Sequence, residues 1–102
     1  MTTYLIVRAK VDPTVRKTFD NWYEKEHLPD AQKAFDAISA RRGWSKMEPN
    51  THIALYEFSN LDVAEKAMSS NYINDLIKEF DRNWEGLVTR TRELLDINQI
   101  IQ

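Results

Sequence analysis

The sequence contains no cysteine. That excludes disulfides, thiolate nucleophiles and every zinc site built on sulfur. Glycine is almost as scarce, with only Gly43 and Gly86. A phosphate-cradling loop or a dinucleotide fingerprint needs more glycine than that. The only histidines are His27 and His52, too few for a three-histidine catalytic zinc site. Two histidines with Glu26 would suffice in residue type, but no His-x-x-x-His spacing supports a metal, and none is expected. Long apolar runs are missing too. The N-terminal run Tyr4-Leu5-Ile6-Val7 is far shorter than the ~20 residues of a membrane span. It is also too short for a signal peptide and lacks a small-residue cleavage site, so a soluble cytoplasmic protein without a membrane partner is expected. Fourteen basic and sixteen acidic residues give a net charge of −2 and a pI near 5.6. Nucleic-acid binding calls for a basic excess or stripe. The cluster Arg41, Arg42 and Lys46 and the pair Arg90 and Arg92 fall short of one, and read as solvated strand faces.

What is present fits a single domain over residues 1–102, long enough to bury a core without staples. Residues 3–11 alternate Leu5, Val7, Ala9 and Val11 with Tyr4, Ile6, Arg8 and Lys10, which is a strand with one aliphatic face. Asp12-Pro13 is a helix start. Val15, Phe19, Trp22, Tyr23 and Glu26 then form an amphipathic stripe. Pro29 is expected to end that helix, because the residue before proline is pushed out of the helical region; residues 30–35 make a short extra turn. Residues 38–47 read as a second strand and 52–58 as a third, joined through the turn Glu48-Pro49-Asn50. Asn60 can cap a helix carrying Leu61, Ala64, Ala67 and Met68, interrupted at Ser69-Ser70-Asn71. Ile73, Leu76, Ile77, Phe80 and Trp84 continue at helical spacing, Gly86 is placed to stop them, and residues 87–95 form a fourth strand.

The order β-α-β-β-α-β is the ferredoxin-like arrangement, an α+β fold with a four-stranded antiparallel sheet and helices on one face. The other face, carrying Tyr4 and Ile6 or Ala54, Tyr56 and Phe58, is too apolar to leave wet. A homodimer that packs sheet on sheet is expected to cover it, with the isoleucine-rich C-terminus reaching across.

The segment from Phe19 through Trp22-Tyr23-Glu24-Lys25-Glu26-His27-Leu28-Pro29 resembles the signature of the dimeric α/β-barrel superfamily. It is most similar to EthD-like members, with an aromatic pair and then Glu-His-x-Pro at the end of the first helix. Tyr56-Glu57-Phe58 and Arg90-Thr91-Arg92 fit the same pattern, and the likeness spans nearly the whole chain. It implies a scaffold rather than one activity, because members include methylmuconolactone isomerases, cofactor-independent quinone-forming monooxygenases and haem-degrading enzymes. Thr51-His52 resembles the setting of a histidine in the methylisomerases.

Candidate chemistry centres on His27, because a free histidine has a pKa near ~6.5 and can give or take a proton near neutrality, and because it sits four residues after Tyr23. Glu26 occupies the apolar stripe near a helix C-terminus, where a carboxylate is disfavoured and needs a cation such as Arg8, Arg90 or Arg92. His27, His52 and Glu26 are the candidate acid–base groups, with Tyr23, Tyr4, Arg8, Tyr56 and Arg92 as candidate ligand contacts. A small aromatic or carboxylate ligand and no cofactor are expected. The same residues also admit a structural role: His27 and Glu26 satisfying the turn at Pro29, His52 at a strand edge, and the aromatics as plain core. The functional expectation is a cofactor-independent isomerase or monooxygenase acting on an aromatic or unsaturated acid. The competing one is a non-catalytic, ligand-binding or stress-related dimer.

Overall fold

The computed structural model describes residues 2–102. Strand β1 (Thr3–Val11) leads through a 3-10 turn (Pro13–Val15) into helix α1 (Arg16–Trp22), a π-helical turn (Tyr23–His27) and helix α2 (Leu28–Phe35). Strands β2 (Ser39–Trp44) and β3 (Thr51–Phe58) form a hairpin. Helices α3 (Leu61–Met68) and α4 (Asn71–Trp84) precede strand β4 (Val88–Asp96). The sheet is antiparallel in the order β2-β3-β1-β4, the ferredoxin-like topology.

Local chemistry sets each boundary. The Asp12 carboxylate accepts from the Thr14 backbone N–H at 2.9 Å, and Pro13 follows as the first helical residue. Asn60 caps α3 by accepting from the Val63 N–H at 3.0 Å. Ser69 and Ser70 close α3 by donating their hydroxyls to the carbonyls of Lys66 and Ala67. Gly86 takes φ +81° after α4, a left-handed conformation that a side chain would strain. Strand β2 stops at Trp44, short of the expected residue 47, because the Ser45 hydroxyl accepts from the Met47 and Glu48 N–H groups and turns the chain.

Pro29 does not end the first helical region. The backbone runs helical from Arg16 to Phe35, with the Leu28 N–H reaching five residues back to the Tyr23 carbonyl. The wider turn opens the wall of carbonyls that a proline would otherwise strike, and places Pro29 in the first turn of a fresh α-helix. It also resets the buried face. Phe19, Tyr23, His27, Ala31 and Phe35 all point into the core, a four-residue repeat. In a regular α-helix such a row drifts by about 40° each step. The extra residue absorbs that drift. His27 is therefore buried where the α-helical stripe had expected Glu26, and Glu26 is exposed.

The core lies between the sheet and the helices, around Leu5, Phe19, Tyr23, Tyr56, Phe58 and Phe80. Leu5 pairs with Tyr56 and Val7 with Ala54 across β1 and β3. Directly opposed residues share a face, so Ala54, Tyr56 and Phe58 join the aliphatic side of β1 under the helices. They are not part of the open face. That face carries Tyr4, Ile6, Ile53 and Leu55, all half-buried in the single chain.

Candidate functional site

A cavity of about 30 Å³ lies between the inner sheet face, the π turn and α4, and Tyr23, His27, Tyr56, Phe80, Arg90 and Arg92 are among its walls. It is room for a couple of water molecules. The π turn brings two of these groups: Tyr23 and His27 are both buried on the side of the helix that faces the sheet. Helix π turns of this kind recur at functional sites. Strand β4 brings the arginines. Arg90 pairs with Ala9 and Arg92 with Val7, so both project on the helix side of the sheet.

His27 is wedged between aromatic rings. Trp22 stacks on it at 4.7 Å, and Tyr23 and Phe80 meet it edge-on at 4.8 and 5.5 Å. Burial, and then the positive charge of Arg90, depress its pKa from 6.5 to about 4. The imidazole is therefore neutral at pH 7. The hydroxyls of Tyr23 and Tyr56 lie 3.1 Å apart and share a hydrogen bond. Burial pushes Tyr23 up to about 12 and Tyr56 well above its ordinary value, so both remain neutral O–H groups. Arg90 is itself pushed down by burial. Its guanidinium carbon lies 3.8 Å from the centre of the Phe80 ring.

Behind this wall lies a second cluster. His52 is 1% exposed, and its ring is 4.3 Å from that of Tyr23. It is not part of the cavity wall, so the two histidines flank Tyr23 rather than one open space. Arg42 Nη1 is 3.4 Å from His52 Nε2. A guanidinium only donates, so Nε2 faces it as an acceptor and the proton sits on Nδ1. Burial and then Arg42 lower the His52 pKa to about 4, with Asp20 opposing them. Asp20 Oδ1 accepts from Arg42 at 2.8 Å and from the Trp44 indole at 2.9 Å. Those two bonds hold the Asp20 carboxyl below its ordinary range.

The sequence-derived candidates thus divide. His27, Tyr23, Tyr56 and Arg92 meet at the cavity, and His52 supports Tyr23 from behind. Tyr4 and Arg8 lie on the opposite face of the sheet, because period two turns them away from Leu5 and Val7. Glu26 is in solvent and outside the cavity wall. Arg42 is not a solvated strand residue: its side chain is 16% exposed and ion-paired to Asp20. Nor is Arg90, which lines the cavity. The Asp20–Arg42–Trp44 cluster escaped sequence reasoning, although alternation along β2 places Arg42 between the inward Ala40 and Trp44. Among the described residues no group of three His, Cys, Asp or Glu side chains is placed to hold a metal ion. No helix among them is long and apolar enough to cross a membrane.

No protein-family model matches the sequence, and no curated protein matches it. Solved structures do match. An EthD family protein from Bacillus halodurans superposes with a TM-score of 0.69 at 18% identity, over 91% of this chain and 97% of that one. SnoaB, a cofactor-independent oxygenase from Streptomyces nogalater, gives a TM-score of 0.71 at 11% identity, over 98% and 96%. A candidate antibiotic biosynthesis monooxygenase from Deinococcus radiodurans gives 0.72 at 8% identity, over 98% and 96%. At such identities the likeness carries the architecture alone. The chain has the ferredoxin-like α+β fold that these proteins share, across nearly its whole length.

Proposed function

We propose that the chain is a small cytoplasmic enzyme of cofactor-independent proton transfer, an isomerase or monooxygenase, acting on an aromatic or unsaturated acid. The observation that carries this is the meeting of three kinds of group at one cavity: a neutral imidazole, a pair of neutral phenols and two guanidinium groups. Such a set suits a substrate that becomes more negative as it reacts. The arginines on β4 hold the acid group. The tyrosine hydroxyls donate to the oxygen of a forming enolate or phenolate. His27 takes the proton. With a pKa of about 4 the empty site holds a weak base. A bound anion offsets the Arg90 charge, one of the two causes of that depression, and raises the proton affinity when substrate is present. Return of the proton to another carbon of a dienolate completes an isomerisation. For the oxygenase outcome the electron-rich ring carbon of the phenolate bonds to dioxygen to give a hydroperoxide. Its O–O and C–H bonds then break with loss of water to leave a quinone carbonyl, so the substrate itself supplies the electrons. The oxygenase neighbour SnoaB supports that class at the level of fold.

The test is turnover of a panel of hydroxyaromatic and 2,4-dienoic acids, followed by ultraviolet absorbance and oxygen uptake, with His27→Ala beside the parent. General acid–base groups contribute roughly 10²–10⁴-fold, so turnover falls by that much in the variant. Unchanged turnover, or none on any acid, refutes the reading. The alternative, a non-catalytic binding dimer, draws on the small size of the cavity. It requires acids to bind without conversion.

The unit we propose is a homodimer through the open sheet face. One row across that face reads Arg41, Leu55, Ile6, Glu93 from the β2 edge to the β4 edge. A two-fold axis along the strands, between β3 and β1, lays the β2 edge of one copy over the β4 edge of the other. Arg41 then faces Glu93 of the second copy on both sides of the apolar centre, a self-complementary arrangement.

A further inference from the structure

Arg90 has two commitments that a ligand would separate. On one side it lines the cavity beside His27. On the other it reaches α4, where its guanidinium lies over the Phe80 ring and its Nη2 is 3.5 Å from Asp81 Oδ1. Helix α4 supplies much of the cavity's outer wall through Ile73, Leu76, Ile77 and Phe80. Only two ion pairs occur among the described residues, and Arg90–Asp81 is the one that ties α4 to the sheet. That pair is poorly made. The contact is long and single, and the Asp81 side chain is 61% exposed, while Arg90 is 18% exposed. Water therefore screens the carboxylate of Asp81 far more than it screens the cation.

A carboxylate arriving from the cavity side meets the same guanidinium where it is more buried than at Asp81, and a guanidinium can offer a carboxylate two parallel N–H···O bonds. We propose that Arg90 is the receptor for the ligand's carboxylate, that Asp81 is its built-in competitor, and that the Arg90–Asp81 pair latches α4 over the empty cavity. The inference rests on the small-molecule reading of the cavity. It adds that Asp81 competes with the ligand's carboxylate for Arg90 and that binding is coupled to release of α4. A cavity of about 30 Å³ admits no aromatic acid while α4 is seated, so release must accompany entry.

The experiment uses the full chain, salicylate as the probe and salicylamide as its neutral counterpart. Binding is read by calorimetric titration, and opening of α4 by amide hydrogen exchange without ligand. Asp81→Asn removes the competitor and the latch and keeps the shape, so salicylate binds up to about fivefold more tightly; salicylamide, whose entry also needs α4 released, tightens by no more than that. Arg90→Gln weakens salicylate by more than about tenfold. Both variants speed exchange of the α4 amides. A merely helical effect of Asp81→Asn goes the other way, because loss of an acidic residue near a helix C-terminus favours the helix and slows exchange. Exchange that is unchanged or slower in both variants overturns the latch. Equal affinity for salicylate and salicylamide overturns the carboxylate receptor and leaves the small-molecule reading standing. Binding of neither probe by any of the three proteins overturns both.

Discussion

Acidification to pH 5 should destabilise this protein through its two buried histidines. His27 and His52 are 8% and 1% exposed, and both are held near pKa 4 against an ordinary 6.5. The unfolded chain therefore takes up protons between pH 6.5 and 4 that the folded chain refuses. Where the unfolded state binds more protons, stability rises with pH. The stability is thus complete above about pH 7 and is lost as pH falls through that window. At pH 5 the loss works out at about 2 kcal/mol per histidine, or about 4 kcal/mol for the two. For a domain of this size that is roughly 15–30 °C in melting temperature. Asp12 and Asp20 have lowered pKa values and act in the same direction, but mainly as pH falls through the ordinary value of 3.8 and below, under the histidine window. Thermal unfolding followed by circular dichroism at pH 7.5, 6 and 5, at one protein concentration, measures the loss. Proton NMR of the histidine rings gives the two pKa values directly. His27→Gln and His52→Gln should each remove about half of the pH dependence. Ring signals that titrate near 6.5, or a melting temperature that is flat from pH 7.5 to 5, would refute the assignment of both rings to the dry interior.

Trp22→Ala should cost ~3–5 kcal/mol, because the ring is buried and packs on Phe19, His27, Phe80 and Trp84; a denaturant midpoint within error of the parent would show otherwise. Light scattering at micromolar concentration should give twice the chain mass of 12.0 kDa, and Ile6→Asp at the centre of the open face should return it to the single mass. A parent protein that scatters as a monomer removes the dimer.

Much of the architecture is carried by local signals. The period-two alternation of residues 3–11, the Asn60 cap and Gly86 each work through neighbours within a few residues, so they are legible before any folding. They suffice for the element order and hence the ferredoxin-like topology. The candidate site is legible only in part. Alternation shows that β3 has two faces, but which one the helices cover depends on Leu5 meeting Tyr56, a pairing of residues far apart in the chain. The helical stripe through Phe19 and Tyr23 fits both an α and a wider turn up to residue 23. The two continue to different residues, Glu26 or His27, and only packing against the sheet decides between them. The rule that proline stops a helix misleads here for the same reason, since it presumes α-helical carbonyls behind the ring. Arg42 and Arg90 read as surface charge because their partners, Asp20 and Phe80, come from other elements. The strands, the helix starts and their order rest on short-range backbone chemistry and can be read from neighbouring residues alone. The tertiary structure decided which histidine face, which strand face and which arginines meet at the cavity, because burial and charge pairing exist only once distant segments touch.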